Sequence, residues 1–136
     1  MRTSPNRLIA TVFGAVYVLV GLLGFAVTGS VGFIASQGEL LLGIFEVNPL
    51  HNVAHLLIGA ALLIAGLSNA MAAKATNSTI GAVYLLLGIV GFFIANTSLN
   101  ILALNTADHF LHIASAIVLL GVGLTADKTV RSHATV

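Results

Sequence analysis

The sequence predicts an all-α membrane protein, a four-transmembrane-helix bundle built from two parallel two-helix repeats with both termini cytoplasmic. Three observations lead there. The 136 residues are 58% hydrophobic and only 7% charged, with a mean hydropathy of +1.08; no soluble domain of that size covers its surface with so few polar groups. Four stretches, Leu8–Val27, Leu50–Leu67, Thr79–Ala95 and Ala107–Leu124, are continuously apolar, and their one charged residue is Asp108. Finally, the chain repeats itself. GAVYVLVGLLGF at 14–25 returns as GAVYLLLGIVGF at 81–92, with eight of twelve positions identical. NPLHNVAHLLIGAALLIAGL at 48–67 returns more faintly as NTADHFLHIASAIVLLGVGL at 105–124, keeping Asn48/Asn105 and His55/His112.

Each stretch is long enough to cross a hydrocarbon layer about 30 Å thick, which takes about 20 helical residues. The runs are continuous rather than alternating, so helices and not barrel strands are expected. The first follows Arg2 and Arg7 in the manner of a secretory signal. It is longer than a signal core and it is the repeat partner of the third stretch, so it reads as a retained helix. Its Gly14, Gly21 and Gly24 match Gly81, Gly88 and Gly91, a small-residue pattern that lets helices approach closely in lipid. Tyr17 and Tyr84 also match, and a hydroxyl inside a span calls for a hydrogen-bonded packing partner.

The outer loop from Thr28 to Pro49 contains GELLLGIFEV, too short to span and suited to an interfacial helix over the mouth of the bundle. Lys74 lies between helices 2 and 3, and Lys128 and Arg131 follow helix 4. With Arg2 and Arg7, all five basic residues fall on one side of a four-span topology, which assigns that side to the cytoplasm. Glu39, Glu46 and Asp108 fall on the other. The whole chain, 1–136, reads as a single integral membrane domain, with repeat 1 at about 8–70 and repeat 2 at about 75–127. The ends, Met1–Asn6 and about Asp127–Val136, read as flexible, with His133 in the solvated tail.

Several chemistries are excluded. A net charge of +1 offers no basic surface to nucleic acid, and the absence of cysteine removes disulfides and thiolate sites. There is no phosphate loop, no GxSxG, no HExxH, and no motif around Ser36, Ser98 or Ser115. A transporter needs polar groups through the midplane, and helices 2 and 4 offer only Ser115 there.

The histidines carry the strongest functional signal. His51 and His55 are four apart, hence on one helix face, and Asp108 and His112 share that spacing with His109 between them. Facing the pseudo-axis, His51, His55, Asp108 and His112 make a ligand set for a transition metal, with His109 as a further candidate ligand. His55 and His112 alone form a candidate axial pair for haem b. A third reading stays open: the histidines pack and the polar residues cap, with Asn48 or Asp108 at a helix N-terminus and Pro49 in a first turn.

NPLHNxxH at 48–55 and the later D-H-x-x-H at 108–112 resemble the bacterial, actinobacterial-type family of small four-span membrane proteins called domain of unknown function 4383. The resemblance runs from helix 1 to helix 4 and implies an integral membrane protein without assigning a reaction. The expectation is a non-enzymatic protein of the bacterial inner membrane, a structural or accessory subunit in contact with lipid, as a homo-oligomer or beside a larger complex. The alternative is a metal- or haem-binding protein using the outer histidines.

Overall fold

The computed structural model describes residues 3–128. In chain order the elements are α1 (Pro5–Val27), β1 (Glu39–Leu41), β2 (Phe45–Val47), α2 (Pro49–Ser68), α3 (Ala70–Ile94) and α4 (Thr106–Thr125). All four helices are long and apolar enough to cross a membrane. Arg2, Arg131 and His133 lie outside the described residues.

The helices pack most closely as two pairs, α1 with α2 and α3 with α4. Glycine sets the distance. A Cβ on Gly14 would lie 2.5 Å from the Leu63 backbone nitrogen, and one on Gly59 would lie 2.6 Å from that of Val18. In the second pair, a Cβ on Gly81 would meet the Leu120 nitrogen at 2.8 Å, and one on Gly123 would meet Ser78. Contacts run Gly14 to Leu63 and Gly21 to Asn52 in the first pair, Gly81 to Leu120 and Gly88 to Ile113 in the second. The partners of each pair are therefore antiparallel. The two pairs meet along a seam of Ala10, Tyr17, Leu62, Ala73, Tyr84, Ala116 and Leu119, all buried.

Every helix begins on a side-chain cap, because its first N–H groups have no acceptor within the helix. Ser4, Asn48, Asn69 and Asn105 supply those acceptors. Two boundaries differ from the sequence expectation. Helix α3 starts at Ala70, not near Thr79, so Lys74, Asn77 and Ser78 are helical. Hydropathy excluded this polar turn from the span, but helix propensity does not stop at the lipid boundary, and AMAAKA is strongly helix-forming. The α2–α3 connection is thereby reduced to Asn69, extended in backbone (φ −157°) and capping the next helix.

The second difference is the loop between α1 and α2. GELLLGIFEV is a β-hairpin, not an interfacial helix: Glu39 pairs with Val47 and Leu41 with Phe45. Leu42 and Gly43 both have positive φ, 56° and 71°, the backbone pair that turns a tight hairpin with the natural strand twist. A helix would have required one face to be apolar; here Leu41 and Val47 are buried while Leu42 and Ile44 stay exposed.

At the opposite end of the bundle, polar groups form a clasp. Asp127 accepts hydrogen bonds from the Ser4 hydroxyl (2.6 Å) and the Asn6 side-chain amide (2.9 Å). The Asn77 amide donates to the Asn6 carbonyl and side-chain oxygen, each at 3.0 Å. Lys74 Nζ donates to the Ala126 carbonyl at 2.6 Å, and Arg7 Nε to that of Gly66 at 2.9 Å. Ser4, Asn6 and Asp127 are thus ordered where the chain ends read as flexible; Met1 and Thr129–Val136 are outside the described residues. Burial pushes the Asp127 carboxyl up, but hydrogen bonds from Ser4 and Asn6 and the charge of Lys74 outweigh it and hold it below the usual carboxylate range.

Two predictions follow from this packing. Gly59→Ala should destabilise the protein by about 1–3 kcal/mol, because the added methyl meets backbone. Gly121→Ala, where a Cβ meets nothing within 4 Å, should leave stability unchanged or raise it by up to about 1 kcal/mol. Thermal unfolding of both variants in one detergent tests the pair; equal losses would refute the close approach. Because the Asp127 acid is depressed in the fold, its contribution is present above its unfolded value of about 3.9 and is lost as pH falls through the folded value. Asp127→Asn should lower the melting temperature at pH 7 and flatten the acid limb of the stability curve. An unchanged limb would sink the clasp.

Candidate functional site

At the hairpin ends of α2 and α4 the chain places imidazoles through its caps. Asn48 accepts the His51 N–H at 2.8 Å, which starts α2 with Pro49 in its first turn. His51 and His55, one turn apart, then share a face, their ring centroids 4.4 Å apart. Asn105 and Asp108 form a reciprocal capping box on α4, which places His112 one turn further in. One ring nitrogen each from His51, His55 and His112 lies within 4.8 Å of the others. All three side chains are buried.

Two tyrosines wall the trio. Tyr17 packs on His55 with centroids 5.3 Å apart, and Tyr84 lies nearly parallel to His112 (5.1 Å, 14°). The tyrosine rings are 5.4 Å from each other, and His51 and His112 are 6.1 Å apart. Five rings therefore form a closed circuit, from His51 through His55, Tyr17, Tyr84 and His112 back to His51. The Tyr17 hydroxyl and the Ser115 hydroxyl share a 2.7 Å hydrogen bond. Tyr84 departs from the sequence expectation: its hydroxyl has no partner. The residue that aligns with Ser115 in the 48–67 segment is Ile58, which cannot accept.

The hairpin sets the protonation of one imidazole. His51 Nδ1 lies 3.2 Å from the Glu46 carbonyl. A carbonyl only accepts, so Nδ1 carries the proton and Nε2 carries the lone pair. That Nε2 is buried without a partner, as are His55 Nδ1 and His112 Nδ1. An unpartnered buried polar atom costs about 1–3 kcal/mol, so each of these ring nitrogens lacks a partner its burial calls for. Metal–nitrogen bonds of about 2.0–2.1 Å set three such nitrogens about 3.5 Å apart, so closure needs side-chain movements of about 1 Å.

The other two expected ligands go elsewhere. Asp108 is a cap: its Oδ2 accepts the Asn105 N–H at 2.9 Å and the Glu46 N–H at 3.2 Å. Two backbone donors at a helix start outcompete a position on the trio, and they fix the carboxylate toward the hairpin. His109 points into the α3/α4 interface, with its ring 4.7 Å from that of Phe92 and against Gly91, where a Cβ would overlap the imidazole. The glycine makes room for His109 and so removes it from the centre. Its neighbour in the matched position of the first pair, Asn52, fills the space over Gly24 and donates to Thr28 at 3.0 Å.

Sequence reasoning missed the Glu46 carbonyl and the tyrosine stacking at this site and, at the clasp end, the contact of Asn6 with Asn77. The Glu46 carbonyl carries no side-chain signal. The tyrosines were visible as a matched pair, but not their stacking on histidine. Asn6 and Asn77 do not match under the repeat offset, each facing an alanine position instead, so a search for matched polar residues passes over them. A cavity of about 740 Å³ opens at the same end as the histidines, lined by Glu46, Asn96, Thr97, Asn100 and Asn105 among others.

Asp108→Ala should cost about 0.5–2 kcal/mol of stability, the usual loss of a cap, with Asp108→Asn milder because an amide oxygen still accepts. Chemical or thermal unfolding measures it. An Asp108→Ala variant as stable as wild type would refute the capping assignment.

The chain belongs to the family described as Domain of unknown function (DUF4383), whose match covers residues 7–125. No curated protein and no solved structure matches the chain.

Proposed function

We propose that this family member is a multi-pass protein of a bacterial cytoplasmic membrane that holds a transition-metal ion through His51, His55 and His112. In this reading it comprises two parallel two-helix repeats in an up-down-up-down bundle, with both termini inside. The observation that carries the metal reading is the buried trio with an unpartnered nitrogen on each ring. The Glu46 carbonyl supports it as an outer-shell partner, since metal-binding imidazoles are characteristically oriented by a carbonyl or carboxylate on the second nitrogen.

Orientation is supported by charge. Arg7 and Lys74 lie at the clasp end, while Glu39, Glu46 and Asp108 lie at the hairpin end. Among the described residues the hairpin end carries no Lys or Arg, and acidic groups there raise the local concentration of cations. The repeat reading is supported by the matched glycines Gly24 and Gly91, each of which makes room for the matched residue of its partner helix, Asn52 or His109.

A haem fits this geometry less well than an ion. The His55 and His112 nitrogens lie within 4.8 Å, but the rings of His51, Tyr17 and Tyr84 occupy the sides of that gap, leaving a porphyrin no plane to enter. The accessory-subunit and homo-oligomer readings have less support. Exposed apolar side chains such as Phe93, 81% exposed, are those a bilayer covers by itself, and they single out no protein partner.

Gently solubilised wild type should carry close to one equivalent of transition metal, and His55→Ala/His112→Ala should carry none. Elemental analysis of the two proteins decides it. Added metal should also raise the wild-type melting temperature, by the equivalent of about 2.7 kcal/mol at a hundredfold excess over Kd, and leave the double variant unmoved. A metal-free wild type that added ions fail to stabilise would leave the histidines as packing residues.

A further inference from the structure

We propose that the ion taken by His51, His55 and His112 is monovalent copper; this rests on reading the trio as a metal site. The first argument is charge. The chain has no cysteine, and neither nearby carboxylate reaches the trio. Asp108 is held by the Asn105 and Glu46 N–H groups, and the Glu46 carboxylate accepts the Gly38 N–H at 2.7 Å and lines the outer cavity. Three neutral imidazoles therefore leave the ion's whole charge uncompensated in a buried site. The cost of burying a charge rises with its square, so a divalent ion meets about four times the penalty of a monovalent one.

The second argument is coordination number. Zinc and the other divalent ions that favour imidazole take four or more ligands. One further buried oxygen without a hydrogen bond is the Tyr84 hydroxyl. A metal on His112 lies in the imidazole plane, along the nitrogen lone pair. The Tyr84 ring, and its oxygen with it, lies in a second plane inclined by only 14°. Tyr84 thus covers a face of the His112 ring and lies out of the plane in which His112 would coordinate. The three imidazoles are buried, with Tyr17 packed on His55 and Tyr84 on His112, an environment that disfavours water, the usual fourth ligand. A d¹⁰ monovalent ion is content with three imidazoles in a trigonal arrangement and needs no fourth ligand.

The test uses the full chain in detergent, prepared free of metal and handled without oxygen. Cu(I), delivered as its acetonitrile complex, is titrated against a chromophoric Cu(I) chelator, and Zn(II) against a zinc chelator. The expected result is one equivalent of Cu(I), bound at least about a hundredfold more tightly than Zn(II). The copper X-ray absorption edge should be that of a three-coordinate, all-nitrogen site, and Tyr84→Phe should keep both properties. Zinc binding as tight as copper, a fourth ligand at the copper, or a tenfold loss in Tyr84→Phe would overturn the assignment to monovalent copper while leaving a metal site in place. Binding of neither ion, or binding retained in His55→Ala/His112→Ala, would overturn the metal reading itself.

Discussion

Close backbone approach at glycine is the constraint on which the rest of this structure depends. In lipid, helices gain nothing by hiding apolar surface from one another, so association rests on van der Waals contact and a few polar links. Gly14 and Gly59 face each other so closely that a methyl on either would meet the other helix's backbone, and Gly81, Gly88 and Gly123 do the same for α3 and α4. Those approaches fix the rotation of every helix about its axis. Once Gly14, Gly21 and Gly24 face α2, Tyr17 must face the seam between the pairs, and Tyr84 follows in the same way. The aromatic walls of the histidine site are a consequence of glycine packing on neighbouring faces.

Polar residues then act at the two ends, where lipid gives way to water. The clasp of Ser4, Asn6, Asn77 and Asp127 ties α1 to α3 and to the end of α4. At the other end the cap residues do the equivalent work, Asn48 donating to the Ala35 and Ile101 carbonyls and Asn105 to that of Ile44 in the hairpin turn. Helix ends left uncapped would expose N–H and C=O groups to the edge of the hydrocarbon. The same hydrogen bonds that meet this need also hold His51 through the Glu46 carbonyl. Local capping and the geometry of the site are therefore coupled, and the hairpin is the element they share.

Matched positions in the two halves of the sequence do unlike jobs. His55 and His112 both enter the site, but His51 joins them while Asp108, its counterpart, caps a helix. Asn52 and His109 both cover a glycine, and neither reaches the centre. Asn48 and Asn105, kept in both segments, cap α2 and α4 alike. A side chain's duty here is set by which donors lie within its reach, and the hairpin, present in only one segment, supplies donors to one side.

Much of this was legible in the residues. Composition dictated a membrane class, run length dictated four helices, and Asn48-Pro49 marked the start of α2, whereas the capping box of Asn105 with Asp108 on α4 emerged only in the structure. Four-residue spacing put His51 and His55 on one face, and the matched His112 named the third member. Hydropathy, periodicity and capping act over a few residues, and a sequence displays them directly. The tertiary structure alone decided the early start of α3, the hairpin in place of a helix, the pairing of Asn6 with Asn77, and the diversion of Asp108 and His109. Each of these depends on a partner distant in the chain or on the rotation of a helix against its neighbour. In a bundle whose helices are apolar nearly all round, hydrophobic pattern leaves that rotation open, and only the close contact of glycine with backbone chooses it.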